Sequence, residues 1–452
     1  MANKRPKRSK PPKPPKPAFD MDPDAPYNPK ELARLRIPLP KAPTVQERLT
    51  TREEEKYLRN LAIMLKFAWD KSIVIMVPFT MKELEERSKR SGKTLEDETT
   101  SRFADRLPNP FTTRYISADG VLLLWYLGFQ NPDVTRFYTY NNQPTTADLK
   151  AYQQANPHVT LYHNGMQHDV LMEHWRETQA CMALVSPKPR EPNDRRHRVD
   201  VDRDLQRSYY FRHNGPTGEG PAQAELIATG HLVVCWTQKG HPHDPMTPSK
   251  DHNRFAATPD AVNTFHKNSW KPHQYLRKVF EKGWPDAYKK FSKAHKNAVA
   301  QDHPGLGPWI GKAIVWKASS SGHIDDGDGC PTATYPFGVW EGGHMDVHDL
   351  NARLLYQQRD VIVGHTSVLF HRVTPWTVPT IIDPQVLEYM KKYNITPGRV
   401  SEVSFFPQAA YDQLVGKSPG WGPRTKWGSM AEVEDDQPKR KKRRKNKVVE
   451  EQ

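Results

Sequence analysis

Two histidines and one aspartate in the C-terminal third of the chain have the types and spacing of a metal site. His323 and Asp325 form an H-x-D pair, and His371 follows 46 positions after Asp325. Residues two apart in a strand point to the same side, so the pair would present an imidazole and a carboxylate together. Two imidazoles and a carboxylate on one face of non-heme iron(II) leave the opposite face open for a chelating co-substrate and O₂. The pattern predicts an iron(II) site.

A second H-x-D pair, His344 and Asp346, competes with the first. Only 25 positions separate Asp346 from His371. The short β-rich runs of this region predict a jelly roll. In that fold about four strands, each of about five residues plus turns, lie between the pair and the distal histidine. The longer interval from Asp325 fits that requirement, so the first pair is favoured.

The distal ligand also has a rival, His365. The two histidines stand in the run DVIVGHTSVLFHRV. We expect a turn between Gly364 and Ser367, which leaves His365 in the turn and places His371 in the next strand. His371 is therefore the predicted third ligand.

Other site classes fit the sequence poorly. The acidic run from Asp325 to Gly329 is similar to the start of an EF-hand, but that loop needs a glutamate at its twelfth position. Pro336 or Phe337 stands there. The chain also lacks the G-x-S-x-G, P-loop and H-E-x-x-H motifs, which argues against the corresponding hydrolases and nucleotide-binding enzymes.

The elements that would position these ligands follow Pro308, where short β-rich runs alternate with Gly, Asp and Pro. The runs are GKAIVWKA, GHIDDGD, PTATYPFG, GHMDVHDL, ARLLYQ, RDVIVGHT, SVLFHRV and RVSEVSFF. Eight short strands within about a hundred residues predict a double-stranded β-helix, a jelly-roll type barrel. The predicted fold class is α+β, with a double-stranded β-helix (jelly-roll) core, N-terminal helices and disordered basic tails.

Helical patterns come mostly before this region. Apolar residues at helical spacing predict an amphipathic helix over residues 50–72. Residues 231–237 resemble a strand, and 260 to about 298 resemble two helices broken near Gly283-Trp284-Pro285. We find no catalytic motif in residues 73–180.

The composition indicates disordered ends and sets the domain boundaries that we predict. The hydrophobic fraction is 36% and there are 41 prolines, which is typical of a chain with unfolded segments. The predicted divisions are a disordered basic Pro-rich tail (1–45), a mixed helical and β region that supports the core and contacts substrate (46–300), the jelly-roll core (301–430) and a disordered tail with a basic cluster (431–452).

The net charge of +15 lies in two short segments. Residues 1–17 carry seven Lys or Arg, residues 439–447 carry eight, and neither has an acid. The body is then near neutral overall, and electrostatic affinity for nucleic acid belongs first to the tails. The cluster at 439–447 follows an acidic stretch and is typical of a nuclear import signal, although a solvated charged tail has the same composition.

A loop at 186–220 interleaves basic and aromatic residues, which suit the phosphates and bases of a nucleic-acid strand. The candidate contacts are Arg195, Arg196, Arg198, Tyr209, Tyr210 and Arg212. Four aspartates in the same loop offset much of its charge, so a solvated loop is the alternative.

Three cysteines and the apolar runs indicate the compartment. Cys181, Cys235 and Cys330 lie far apart without a CxxC pair, so a reducing compartment is expected and a disulfide framework is not. The run VLLLWYLGF is too short to span a bilayer, and the N-terminal residues contain no apolar signal-peptide core. We predict no membrane association.

The C-terminal motifs together resemble the fungal branch of the 2-oxoglutarate oxygenases related to the TET/JBP base-modifying dioxygenases. The resemblance covers about 100 of the 452 residues. Its motifs are His323/Asp325/Asp328, the turn Gly338-Val339-Trp340-Glu341-Gly342-Gly343, Arg359-Asp360-Val361, Leu369-Phe370-His371 and Arg399-Val400-Ser401.

This resemblance implies Fe(II), 2-oxoglutarate and O₂ as cofactors, and it implies roles on the last strand. An arginine there pairs with the distal carboxylate of 2-oxoglutarate, a contact that suits guanidinium geometry. Arg399 lies at the matching place, and Ser401 would share its face and add a hydrogen bond. The 28 positions between His371 and Arg399 exceed the family's usual interval, which suggests an inserted loop and short helix. Arg372 is the alternative.

The resemblance also implies a substrate: a methyl-bearing base in DNA, such as 5-methylcytosine, thymine or N6-methyladenine. From the basic tails and the basic-aromatic loop we expect DNA as partner, and from the basic cluster a nuclear location. We also expect a monomeric state. Two other functions stay open, a protein or peptide hydroxylase on the same scaffold and a catalytically inactive DNA-associated binding protein.

Overall fold

The computed structural model describes most of the chain between Thr51 and Pro423. The described ranges are 51–133, 135–185, 228–237, 245–252, 258–299, 306–318, 320–393, 395 and 397–423. The predicted tails at 1–45 and 431–452 and the basic-aromatic loop at 186–220 lie outside these ranges.

Helices and strands fill most of the described ranges. The helices are α1 (Thr51–Asp70), α2 (Met81–Arg87), α3 (Gly92–Phe103), α4 (Thr146–Ala155), α5 (His168–Val185), α6 (Thr258–Asn268), α7 (Trp270–Gly283), α8 (Pro285–Ala298), α9 (Pro384–Tyr393) and α10 (Gln408–Leu414). The strands are β1 (Ile73–Met76), β2 (Thr113–Ile116), β3 (Leu122–Leu127), β4 (Ala228–Val233), β5 (Gly311–Trp316), β6 (Ser320–His323), β7 (Thr332–Val339), β8 (Glu341–Gly342), β9 (Met345–Val347), β10 (Ala352–Leu354), β11 (Val361–Gly364), β12 (His371–Val373), β13 (Trp376–Thr377) and β14 (Gly398–Phe405). Within this part of the chain, no helix combines the length and apolar character needed to cross a bilayer.

The architecture is mixed α+β with one large sheet. Its eight strands run in the order β1-β2-β3-β11-β7-β14-β5-β4, and a four-stranded sheet has the order β10-β9-β12-β6. A two-stranded ribbon pairs β13 with β8. Seven of the eight C-terminal runs that we predicted as strands coincide with one, and the prediction is confirmed for these. The eighth run, GHIDDGD, shares only Gly322 and His323 with β6.

Strands from the first part of the chain extend the large sheet at both ends. β3 pairs with β11 and continues the sheet through β2 to β1, while β4 pairs with β5 at the other end. β1 lies parallel to β2. The domain boundary at residue 300 stays a prediction, and the N-terminal segment contributes directly to the sheet that carries part of the site.

The large sheet separates two apolar cores. On β7, Ala333, Tyr335 and Phe337 belong to the core that includes residues of helices α1 and α5 to α8. Side chains alternate across a strand, so Thr332 and Thr334 point to the opposite face. The second core contains residues of both sheets, including Met345 and Val347 of β9 with Ile362 of β11. The two sheets therefore face each other.

The helices mostly follow their sequence signals, with one correction. The expected helix at 50–72 is confirmed as α1, which buries Leu61 and Leu65. The break before Pro285 is also confirmed, because the residue before a proline avoids helical geometry and proline suits the first helical position. Residues 258–298 nevertheless form three helices, not the two predicted. The extra break lies at Ser269, whose hydroxyl donates to the Phe265 carbonyl at 2.7 Å.

The strand expected at 231–237 is shifted toward the N-terminus. β4 covers Ala228–Val233, and only its last three residues fall within the predicted range. After Val233 the chain leaves the ladder with β5, and Trp236 pairs with Thr247 in a separate bridge. The apolar run continued past the end of the strand because these residues remain packed against the helical core.

A buried ion pair joins the large sheet to the helical layer. The Lys312 ammonium lies 2.6 Å from Glu402, and His174 of α5 lies 3.0 Å from the other oxygen of the same carboxylate. Burial alone raises the pKa of Glu402, but Lys312 and His174 together outweigh this effect and hold the pKa well below its ordinary value. Glu402 is therefore a buried anion that depends on its partners.

Replacing Lys312 with methionine is expected to lower the free energy of unfolding by about 3–5 kcal/mol, because the Glu402 carboxylate would stay buried without its cation. Guanidinium chloride unfolding measures this change. Lys293→Met, at an exposed lysine of α8, is the control and should change stability by less than about 0.5 kcal/mol. A loss below about 1 kcal/mol for Lys312→Met would contradict the argument.

Candidate metal centre

The structure brings His323, Asp325 and His371 to one point. His323 ends β6 and His371 begins β12, and the two residues are directly paired across the small sheet, with ring centroids 4.4 Å apart. The Asp325 carboxylate lies 3.5 Å from Nε2 of His323 and 3.8 Å from Nε2 of His371. One ligand atom from each residue lies within 4.8 Å of the others. Metal bonds of about 2.1 Å at right angles put ligand atoms about 3 Å apart, so small movements would close the site on an ion.

Both imidazoles present the same ring nitrogen to this point. Nδ1 of His323 lies 2.8 Å from the Ser321 carbonyl, and Nδ1 of His371 lies 2.9 Å from the Leu369 carbonyl. A carbonyl can only accept, so each Nδ1 carries the proton and donates it. Nε2 then has the lone pair that a metal requires, and the backbone contact fixes the orientation of each ring.

Asp325 is placed by a turn. β6 ends at His323, so the pleat of the strand does not extend to the aspartate. The Asp325 amide donates to the Thr366 carbonyl at 3.1 Å, and the Asp328 amide donates to the Asp325 carbonyl at 3.0 Å. The three residues meet as the spacing predicted, but the carboxylate is positioned by these backbone bonds.

The rival H-x-D pair has a structural role. Asp346 is fully buried and accepts from Arg353 at 2.7 and 3.0 Å and from Arg372 at 3.0 Å. His344 Nδ1 donates to the Leu355 carbonyl at 3.0 Å. Within the described ranges, the one grouping of three or more potential ligands is that of His323, Asp325 and His371, so neither His344 nor Asp346 belongs to it.

His365 also lies apart from the cluster, at the turn where we expected it. β11 ends at Gly364, and the amides of Val368 and Leu369 donate to the His365 carbonyl. Its ring lies against Trp284 of the helical layer, and burial lowers the pKa of the imidazole to about 4. His365 therefore packs as a neutral side chain.

Arg399 lies on the inner face of the large sheet with much of its hydrogen-bonding capacity unused. Val400 belongs to the helical core, so Arg399 and Ser401 point the other way, toward the small sheet. Arg399 as a whole is about 1% exposed, and its Nη1 lies 3.4 Å from the Ser401 hydroxyl. Its Nε and Nη2 have no hydrogen-bond partner among the described residues. Burial lowers the pKa of Arg399. A buried cation in this state is suited to an anionic ligand.

Tyr356 and Gly343 shape the surroundings of this arginine. The Tyr356 ring lies 4.8 Å from the guanidinium, and its hydroxyl bonds to Thr334 at 2.6 Å, although the residue adopts a left-handed φ of 47°. Such strained backbone is held in place by its surroundings and clusters at functional sites. Gly343 has a φ of 66°, and a Cβ there would lie 2.9 Å from Cδ of Arg399. Glycine is therefore required beside the guanidinium.

A short series of contacts links the arginine to the histidine cluster. Thr332 and Thr334 share one face of β7. Thr334 contacts Tyr356, which packs on Arg399. The Thr332 hydroxyl bonds to that of Thr366 at 2.8 Å, and the Thr366 carbonyl holds the Asp325 amide. The Arg399 guanidinium and the Asp325 carboxylate are thus both linked to the face of β7 that carries Thr332 and Thr334.

Arg372, the alternative to Arg399, is already paired. Its guanidinium lies 2.9 Å from Glu96 and 3.0 Å from Asp346. It also follows His371 on β12 and therefore faces away from that ligand. The structure favours Arg399 as the arginine that is available to a ligand.

Sequence reasoning placed some of these residues and missed others. The interval between His371 and Arg399 contains the ribbon strand β13 and helix α9, so the predicted short helix is present. Tyr356 and Thr334 were not singled out, and neither lies in a motif that would mark it. The candidate substrate contacts lie outside the described residues; they are Arg195, Arg196, Arg198, Tyr209, Tyr210 and Arg212.

Comparison with known proteins yields one kind of match. No protein-family model matches the chain, and no curated protein matches it. Among solved structures, the chain is similar to NgTET1 in complex with 5mC DNA, with 13% sequence identity and a TM-score of 0.36 over 71% of this chain and 93% of that one. The chemistry of the site is therefore interpreted from its own geometry.

Proposed function

We propose that this protein is an iron(II)- and 2-oxoglutarate-dependent dioxygenase. The observation that carries the proposal is the meeting of His323, Asp325 and His371 with both Nε2 atoms turned toward the carboxylate. The donor set is that of the two-histidine, one-carboxylate iron(II) oxygenases. The unpaired atoms of Arg399 supply a buried cation for an anionic co-substrate in the same interior.

We further propose that the two facing sheets form a double-stranded β-helix. Four central strands of the large sheet, β11-β7-β14-β5, face the small sheet β10-β9-β12-β6. Successive strands from β5 to β7 alternate between the two sheets, as do those from β10 to β12. This alternation supports a jelly-roll core over the predicted range 301–430.

In this proposal, three residues of the chain would bind the metal and two would bind the co-substrate. His323, Asp325 and His371 would hold the iron through Nε2, a carboxylate oxygen and Nε2. Arg399 would bind the distal carboxylate of 2-oxoglutarate with two parallel hydrogen bonds, and the Ser401 hydroxyl would help to orient it. Bound iron and 2-oxoglutarate supply the oxidation, in which a C–H bond, O₂ and 2-oxoglutarate become a C–OH group, succinate and CO₂. Burial of Arg399 keeps water from competing for the co-substrate.

The substrate that we propose is a methyl-bearing nucleobase in DNA. Support comes from the motif resemblance of the H-x-D to R-x-S segment and from the basic segments 1–17 and 439–447. A base inside a duplex cannot reach an interior metal, so the enzyme would act on a base turned out of the stack. A nuclear location and a monomeric state belong to the same proposal.

The test is a turnover assay on the purified full-length chain. The protein is incubated with iron(II), 2-oxoglutarate and ascorbate, together with oligonucleotides that carry 5-methylcytosine, N6-methyladenine or thymine. Nucleoside mass spectrometry should detect an oxidised or demethylated base in one of these reactions. The Asp325→Ala protein, treated identically, is the control and should give none.

Two other outcomes would redirect the assignment. Succinate formation that a protein extract stimulates and methylated DNA does not would select a protein or peptide hydroxylase. Absence of iron(II) binding in a titration of the wild-type protein would select a catalytically inactive DNA-associated binding protein.

A further inference from the structure

Glu96 of α3 contacts both strands that carry the histidines. One carboxylate oxygen, Oε2, accepts the backbone amide of Gly322 at 2.7 Å, and the other, Oε1, accepts Nη1 of Arg372 at 2.9 Å. Gly322 precedes His323 on β6, and Arg372 follows His371 on β12. A single carboxylate thus joins the immediate neighbours of two candidate ligands.

The close approach of α3 depends on the glycine. A Cβ at Gly322 would lie 2.0 Å from Oε2 of Glu96 and 2.2 Å from the ring of Phe370. Distances under about 3 Å are not tolerated between such atoms without movement. The missing side chain therefore allows the carboxylate to reach the backbone beside His323.

The other end of this contact is anchored in a buried network. Arg372 also donates to Asp346, which is fully buried and accepts two further hydrogen bonds from Nε and Nη2 of Arg353. Arg372 has a further contact to the Thr100 hydroxyl of α3. Two cations and two anions alternate in this network, so Arg372 has little freedom to move, and Glu96 transmits that rigidity to β6.

We propose that Glu96 is a positioning residue that sets the separation of His323 and His371, and with it the affinity for the metal. The inference rests on the proposed function. Metal ligands must be held to within about 0.5 Å of a productive geometry by the groups behind them. The direct pairing of β6 with β12 is irregular, with a register shift between His371 and Val373. Glu96 supplies a second connection between the two strands at this point.

The test compares Glu96→Gln with the wild type in metal binding. Glutamine keeps the size of the side chain, but its amide nitrogen cannot accept a hydrogen bond and the charge opposite Arg372 is lost. Calorimetric titration with Mn(II) should show an affinity about 10- to 100-fold weaker, the usual cost of losing a group that orients a ligand. The electronic absorption of the Co(II)-loaded protein should change as well, since it reports the arrangement of ligands.

Glu98→Gln is the matched control on the same helix. Glu98 pairs with Arg90 and His348 and touches neither strand neighbour, so its replacement should leave Mn(II) affinity within about 2-fold and the Co(II) spectrum unchanged. If Glu96→Gln does not fold, Glu96→Asp keeps the charge but cannot reach both partners, and it should weaken Mn(II) binding.

The results separate this inference from the proposed function. Normal Mn(II) binding and an unchanged Co(II) spectrum in folded Glu96→Gln, or in Glu96→Asp, would overturn the positioning role and leave the metal site intact. A wild-type protein that binds no Mn(II) would overturn the proposed function, and the positioning role with it.

Discussion

Replacing Asp325 with alanine is expected to abolish both metal binding and turnover. The Asp325 carboxylate lies between the two Nε2 atoms, at 3.5 and 3.8 Å, and it is the one anion of the predicted ligand set. Two neutral imidazoles alone hold a divalent ion weakly. Since groups that merely orient a ligand are worth about 10- to 100-fold in affinity, loss of a ligand itself should cost more than about 100-fold.

Titration of the metal-free protein with iron(II) under anaerobic conditions, or with Mn(II) in air, measures the loss. His323→Ala should behave in the same way as Asp325→Ala. His344→Ala is the control, because His344 belongs to the rival H-x-D pair and its imidazole bonds to the Leu355 carbonyl. Metal binding that survives Asp325→Ala and disappears in His344→Ala would move the site to the second pair.

The strands and the meeting of His323, Asp325 and His371 could be predicted because their signals lie in the sequence pattern. Alternating apolar residues between Gly, Asp and Pro are enough to mark short strands, and seven of the eight predicted runs coincide with one. The choice of His323 over His344 needed only the length of chain between the pair and His371. Both inferences use spacing along the sequence, which folding does not alter.

Features that depend on tertiary contacts could not be predicted in this way. The turn that holds Asp325 is fixed by the Thr366 carbonyl, a residue 41 positions away in the sequence. The break at Ser269, in contrast, has a local signal that we did not use. Pro272 stands in the first turn of α7, where it lacks the amide hydrogen that would continue the preceding helix. Glu96 stands in an ordinary polar helix, and its importance depends on the strands that it meets after folding.

Replacing Arg399 with methionine is expected to remove 2-oxoglutarate binding while it stabilises the protein. Loss of a buried charge pair costs about 2–5 kcal/mol in binding, which corresponds to at least about a 30-fold weaker affinity at 1.4 kcal/mol for each factor of ten. In the ligand-free protein, however, Nε and Nη2 of Arg399 are buried without hydrogen-bond partners among the described residues. An apolar side chain of similar length would relieve that cost, so the free energy of unfolding should rise by about 1–4 kcal/mol.

Weaker 2-oxoglutarate binding together with a higher free energy of unfolding distinguishes a ligand-binding arginine from a structural one, because loss of a structural arginine would lower stability. Calorimetric titration of the Mn(II)-loaded protein with 2-oxoglutarate gives the affinity, and guanidinium chloride unfolding without ligand gives the stability. Mn(II) affinity should stay within about 3-fold of wild type, since Arg399 contacts none of the ligands in a way that orients them.

Arg372→Met should have the opposite effects. It should lower stability and weaken metal binding, because Arg372 pairs with Asp346 and Glu96. 2-Oxoglutarate should still bind to this variant when the metal is saturating. If Arg372→Met instead removes 2-oxoglutarate binding and Arg399→Met does not, the co-substrate lies against β12, and the last strand has been assigned the wrong role.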